Sequence, residues 1–167
     1  AYELSRTLAF EDHEVTTPLA VAKGKRVVDQ PVLATILRAG LPMHQGMLNY
    51  FDRAENAFIS AYRKHRKGTD SFDIEVEYLS SPSLDGRVLV LCDPMLATGQ
   101  SMVLVHRALQ RLGKPKALHV VSAIASTEGL EYAKLHLPVG TRFWIGAIDE
   151  EMTAQSYIVP GLGDAGD

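Results

Sequence analysis

The run Val88-Leu89-Val90-Leu91-Cys92-Asp93-Pro94-Met95-Leu96-Ala97-Thr98-Gly99-Gln100-Ser101 decides the fold. Five apolar residues end in a carboxylate, and a short loop of small and hydroxyl residues follows. Beyond Ser101, the residues Met102, Val105, Leu109 and Leu112 fall on one face of a helix. An apolar run without alternation marks a parallel strand covered on both faces. The unit therefore reads strand, loop, helix. Asp93 stands at the carboxyl end of the strand, where open α/β sheets place their ligands.

Working outward, Val32 to Leu37 predicts a second buried strand that delivers Arg38-Ala39-Gly40 at its carboxyl end. Pro42 suits the first turn of a helix burying Met47, Leu48 and Phe51. Asn56 to Tyr62 reads as a strand, and alternating Phe72, Ile74, Val76 and Tyr78 as its return, giving a β-hairpin arm around 58–80. Lys116 to Ile124 and Thr141 to Ile148 are further strands, separated by a helix over Thr127 to His136 with Leu130 and Ala133 inward. This alternation predicts an α/β fold, a mainly parallel sheet flanked by helices with right-handed crossovers. Upstream, Tyr2 to Phe10 reads as a helix with Leu4 and Leu8 on one side. Val15 to Pro18 and Leu19 to Val28 read as short strands broken at Pro18 and Gly24.

With 167 residues, 46% hydrophobic and 22% charged, residues 1–167 are expected to form one domain with an ample core. A net charge of −3 argues against a dedicated nucleic-acid surface. A single cysteine excludes an internal disulfide and fits a cytoplasmic setting. No apolar run approaches membrane-spanning length, and no signal peptide is visible. The six histidines show no metal-ligand spacing with each other or with Cys92, which reads as a packing residue. Asp149-Glu150-Glu151 reads as a solvated turn.

The loop after Asp93 has a definite chemical use. Small residues let main-chain N–H groups approach a ligand, Gly99 can take up positive φ, and Thr98 and Ser101 add hydroxyl donors. All of this lies at a helix N-terminus, which favours an anion such as a monophosphate. It is not a Walker A loop, which would need Gly-Lys-Ser or Gly-Lys-Thr. A carboxylate does not attract a phosphate, so Asp93 suits sugar hydroxyls. Phosphate in the loop and a diol at Asp93 together describe a phosphorylated ribose.

Asp93-Pro94-Met95-Leu96-Ala97-Thr98-Gly99 resembles the phosphoribosyl-diphosphate (PRPP) motif of the uracil phosphoribosyltransferases, members of the type I phosphoribosyltransferase fold family that carry Asp-Pro where relatives carry two acids. Ile36-Leu37-Arg38-Ala39-Gly40-Leu41 is similar to that family's pyrophosphate loop, and Tyr157 to Asp167 to its uracil-binding segment. The three motifs occur in the family's order. The resemblance implies transfer of a phosphoribosyl group from PRPP to uracil, giving UMP and pyrophosphate. It implies PRPP contacts from Arg38, Arg63, Asp164 and the loop Asp93, Pro94, Met95, Leu96, Ala97, Thr98, Gly99, Gln100 and Ser101. Uracil contacts fall on Ile158, Gly163, Asp164 and Ala165, and catalytic roles on Arg38, Arg63, Asp93 and Asp164. Magnesium is expected to arrive with the PRPP, without direct protein ligands. The partners implied are PRPP and uracil, in a homo-oligomer (dimer or tetramer), with no nucleic acid and no membrane. Family members extend further at both ends, so the resemblance implies a domain lacking part of its N-terminus and a short C-terminal tail.

Two departures bear on activity: Pro42-Met43-His44-Gln45 after the pyrophosphate loop, and Gln100 where the family usually has glycine. They keep open a catalytically weak nucleotide-binding paralogue. The same fold used as a pyrimidine-sensing RNA-binding regulator is the other alternative, and the acidic balance disfavours it. The basic run Lys64 to Lys67 is open to ligand, a partner subunit or water.

Overall fold

Strands whose residues are apolar on both faces end up in the middle of the sheet. The computed structural model describes residues 1–65, 72–163 and 165, with side chains described outside 62–75. Its main sheet has the order β5-β4-β3-β6-β8, where β3 is Val32–Leu37, β4 Glu55–His65, β5 Phe72–Ser80, β6 Val88–Cys92 and β8 Ala117–Ser126. Two further strands lie on β8: the short β7 (Met95–Leu96) and β9 (Arg142–Asp149). Strands β3, β4, β6, β8 and β9 run parallel, and β5 returns antiparallel to β4. The parallel sheet and the arm around 58–80 are therefore as expected from the sequence.

Alternation along each strand sorts its side chains into two cores. Val32, Ala34, Leu89 and Leu91 pack with Met102, Val105 and Leu109 of α3 (Gln100–Leu109) and with Leu130 and Ala133 of α4 (Thr127–His136). On the other face Leu33, Val88, Val90 and Cys92 meet Leu4, Met47 and Phe51. Met47 belongs to α2 (Leu41–Leu48), which has proline in its first turn, while Phe51 lies just past the helix end. The chain leaves β3 through α2 toward β4, and leaves β6 through α3 toward β8. The β3–β6 boundary is thus the point where the winding reverses, and its carboxyl edge is the place for a ligand.

The amino-terminal expectations need correcting. The helix α1 covers only Tyr2–Ser5, because Phe10 already pairs with Val27 in a hairpin of β1 (Phe10–Thr16) and β2 (Val21–Val27). The hydroxyls of Ser5 and Thr7 donate to the carbonyls of Tyr2 and Leu4, which also accept the main-chain N–H groups of Arg6 and Thr7. Pro18 does mark the turn, but Gly24 lies inside β2 opposite His13. Both strands are exposed along most of their length, so no buried face imposes the alternation that would have set their limits. A last pair, β10 (Glu151–Met152) and β11 (Ile158–Val159), forms a small hairpin after β9.

Candidate active site

Asp93 is set in place by its neighbour β8. Its main-chain N–H donates to Val121, and its carbonyl accepts from the Ser122 hydroxyl at 2.6 Å. Pro94 has no N–H to give, so the ladder breaks there, and its carbonyl takes the N–H groups of Ala123 and Ile124. The chain resumes as β7 beside Ile124 and Ala125. Burial pushes the Asp93 carboxyl up to about 7, against a hydrogen bond from the Met95 main chain that favours the ionised form. The neighbouring Cys92 thiol, buried among apolar groups, is pushed up to about 12, in keeping with packing rather than nucleophilic chemistry.

The loop that follows is braced from behind by α4. Ser126, itself buried, donates its hydroxyl to Ala97 O at 2.5 Å and accepts from Gly129 N at 2.8 Å as the helix N-cap. Gly99 has φ +74, and a Cβ on it would stand 2.6 Å from the Gly129 carbonyl oxygen; a Cβ on Gly129 would overlap Ala97 O. Loop and helix can approach this closely only with glycine at both positions. Gln100 begins α3 with its side chain exposed. Among the described residues the positive-φ non-glycine is Ser156, so Gln100 keeps an ordinary helical backbone.

A cavity of about 520 Å³ opens at this edge of the sheet. It brings together Arg38 and Ala39 from the end of β3, Asp93 and the 95–99 loop with Ser101, and Tyr157 with Ala165 from the last segment. The volume suits a ligand of nucleotide size. Pro94 and Gln100 do not line it, and neither does Ile158, whose side chain is buried with Ala97 and Ile124 in a small third core. Arg63 lies on β4 with its main chain paired to Ile74; its side chain is outside the described set. Asp164, like Gly166, Asp167, Arg66 and Lys67, lies outside the described residues.

Sequence reasoning missed several contributions, among them Ser60 and Ala61 of β4, which line the cavity. Gln155 and Ser156, at the tip of the β10–β11 hairpin, line the cavity, and Ser156 sits at φ +66, an uncommon conformation for a residue with a side chain. Nothing in the one-dimensional pattern signals that. Asp149 is not simply part of a solvated turn: its Oδ2 accepts from the main-chain N–H of Gly161 at 2.9 Å. The departure at His44 has a structural explanation, since its Nε2 is 2.8 Å from Asn56 Oδ1 and its ring packs on Phe58, away from the cavity.

The Thr153 N–H bonds to Tyr157 O, which makes the next pair of the small hairpin, Met152 and Ile158, the non-hydrogen-bonded one. The main-chain groups of Ile158 are therefore not used by that ladder. Among the described residues no group of three or more His, Cys, Asp or Glu side chains is placed to hold a metal ion.

A parallel sheet with an acid-tipped central strand, a braced loop at a helix N-terminus and an arginine loop beside it is the phosphoribosyltransferase architecture. A purine phosphoribosyltransferase from Pyrococcus horikoshii shares the fold, with a TM-score of 0.52 and 16% identity over 75% of this chain and 80% of that one. The chain belongs to the uracil phosphoribosyltransferase family, whose description matches it over residues 1–167. A uracil phosphoribosyltransferase of Porphyromonas gingivalis is 53% identical over 167 residues, covering 100% of this chain and 77% of its own length. The AQ2163 protein from Aquifex aeolicus superposes with a TM-score of 0.86 at 30% identity, over 99% of this chain and 77% of that one.

Proposed function

We propose that the cavity at the β3–β6 edge is where PRPP and uracil meet. The chain transfers the phosphoribosyl group of PRPP to uracil, giving UMP and pyrophosphate, a step of pyrimidine salvage. One observation carries the placement: residues far apart in sequence, at 36–39, 93, 95–99, 101, 155–157 and 165, line a single cavity at the carboxyl ends of parallel strands.

The bond from uracil N1 to the anomeric carbon forms as the bond to pyrophosphate breaks, the N1 proton passes to the departing pyrophosphate or to water, and the ring oxygen shares the positive charge on the way. The protein's part is to hold the two reactants in line and to stabilise charge. The 95–101 loop takes the 5′-phosphate on its main-chain N–H groups at the start of α3, and Asp93 takes the ribose hydroxyls. Arg38 faces the departing pyrophosphate; Arg63 and Asp164 join it by resemblance alone. The carboxylate among the described residues lining the cavity is Asp93, and the resemblance adds Asp164. That donor set fits magnesium carried in on the diphosphate, where it would neutralise leaving-group charge. By resemblance uracil is read by the main chain of Ile158, Gly163 and Ala165, of which Ala165 lines the cavity while Ile158 and Gly163 stand behind it.

We assign the chain to the cytoplasm and to a homo-oligomer. No helix among the described residues is long and apolar enough to cross a membrane. The exposed β1–β2 hairpin presents Val15, Leu19 and Val21 to its surroundings, which suits a second copy. The activity is tested by following pyrophosphate from PRPP with and without uracil. The expected result is uracil-dependent release with an equal amount of UMP; release that ignores uracil would contradict it.

A further inference from the structure

We infer that Asp149 is a positioning residue for the base, acting through Gly161; this rests on the base site proposed above. Asp149 is the last residue of β9, directly in register with Ser126, the last residue of β8. Ser126 holds Ala97 of the PRPP loop, and Asp149 holds Gly161 of the base segment. Two neighbouring strand ends therefore fix the two subsites relative to each other.

The segment needs such a hold. β11 ends at Val159, and beyond it the bond from Gly161 N to the Asp149 carboxylate is the tie to the rest of the fold found among the described residues. At Gly161 the backbone is left-handed, φ +54, and a Cβ there would overlap the Ile158 carbonyl oxygen, so the chain doubles back tightly over the residue that reads the base. A turn this tight presents the Ile158 and Gly163 main chain in one orientation only while its middle is clamped. A carboxylate is a strong acceptor for that N–H. Asp149 does not itself line the cavity, so its effect on the base is exerted through the turn.

Kinetics with varied uracil and varied PRPP test this in Asp149→Ala, Asp149→Ser and Asp149→Asn. The Ala and Ser side chains cannot reach Gly161, and each should raise KM for uracil about tenfold or more while KM for PRPP stays within about twofold. Asparagine keeps a neutral acceptor of the same reach and should restore KM for uracil to within about threefold of wild type. Hydrogen exchange at the Gly161 amide, measured without substrates, should quicken in Ala and Ser and stay protected in Asn. An unmoved uracil KM, or both KM values rising together in all three variants, overturns the inference while wild-type turnover of uracil stands. A wild type that makes no UMP instead overturns the base site itself, and the inference with it.

Discussion

At the scale of single residues the account turns on Asp93, where site chemistry and stability pull in opposite directions. Its carboxyl rises from an ordinary 3.8 to about 7 because the fold takes it out of water. Between about pH 4 and 7 the unfolded chain has lost this proton and the folded chain has kept it, so stability falls as pH rises through that window. Asp93→Asn removes the term. The variant should melt above wild type at pH 8, with the gain shrinking toward pH 4, although its PRPP turnover drops. Equal melting temperatures across the series would contradict the assignment. His119 acts the other way: burial and the nearby Arg142 hold it down at about 4, so the unfolded chain alone gains a proton below about 6.5 and stability is lost on acidification. Its Nδ1 accepts from Trp144 Nε1 at 2.9 Å, which suits the neutral ring. Gln100 makes a simpler case. In the proposed site its N–H would serve an anion as well as a glycine's would, so Gln100→Gly should shift PRPP affinity by less than about tenfold, or 1.4 kcal/mol, in a titration. A much larger gain would favour the weak-paralogue reading.

At the scale of elements, the join between β8 and α4 holds the 95–99 loop proposed to bind PRPP. Ser126→Ala leaves Ala97 O and Gly129 N without their shared partner, which costs about 1–3 kcal/mol in denaturant unfolding and should weaken PRPP binding as well. Full stability with normal PRPP affinity would show that the loop needs no such brace. Elements buried on both faces were legible from residue type alone: Val32–Leu37 and Val88–Cys92 appear where their apolar runs place them. The helix Thr127–His136 was equally plain, because Leu130 and Ala133 face inward at helical spacing. The exposed β1–β2 hairpin was not legible in its limits, since neither face is tied to a core. Nor was the Asp149–Gly161 bond. A side chain gripping a main-chain N–H twelve positions away leaves no periodicity to read.

For the whole molecule, the winding of the sheet gathers residues of all three motifs at one edge: Arg38, the loop after Asp93, and Tyr157 with Ala165. What the motifs did not announce is the wall facing them, where Gln155 and left-handed Ser156 close the cavity beside Tyr157. In the proposed function the segment behind this wall, with Ile158, Gly163 and Ala165, reads uracil by main-chain groups. Main-chain N–H groups can donate to the uracil carbonyls while a C=O accepts from its N3–H, and cytosine reverses the pattern at two neighbouring positions. A site built for such hydrogen bonds discriminates by about 10⁴. Because the Ile158 side chain packs away from the cavity, Ile158→Val should keep this selectivity even if activity falls. The most direct measurement is the ratio of kcat/KM for uracil to that for cytosine, in wild type and Ile158→Val. The account predicts a ratio of about 10⁴ in both; comparable use of cytosine by wild type, or a ratio that collapses in the variant, would contradict it.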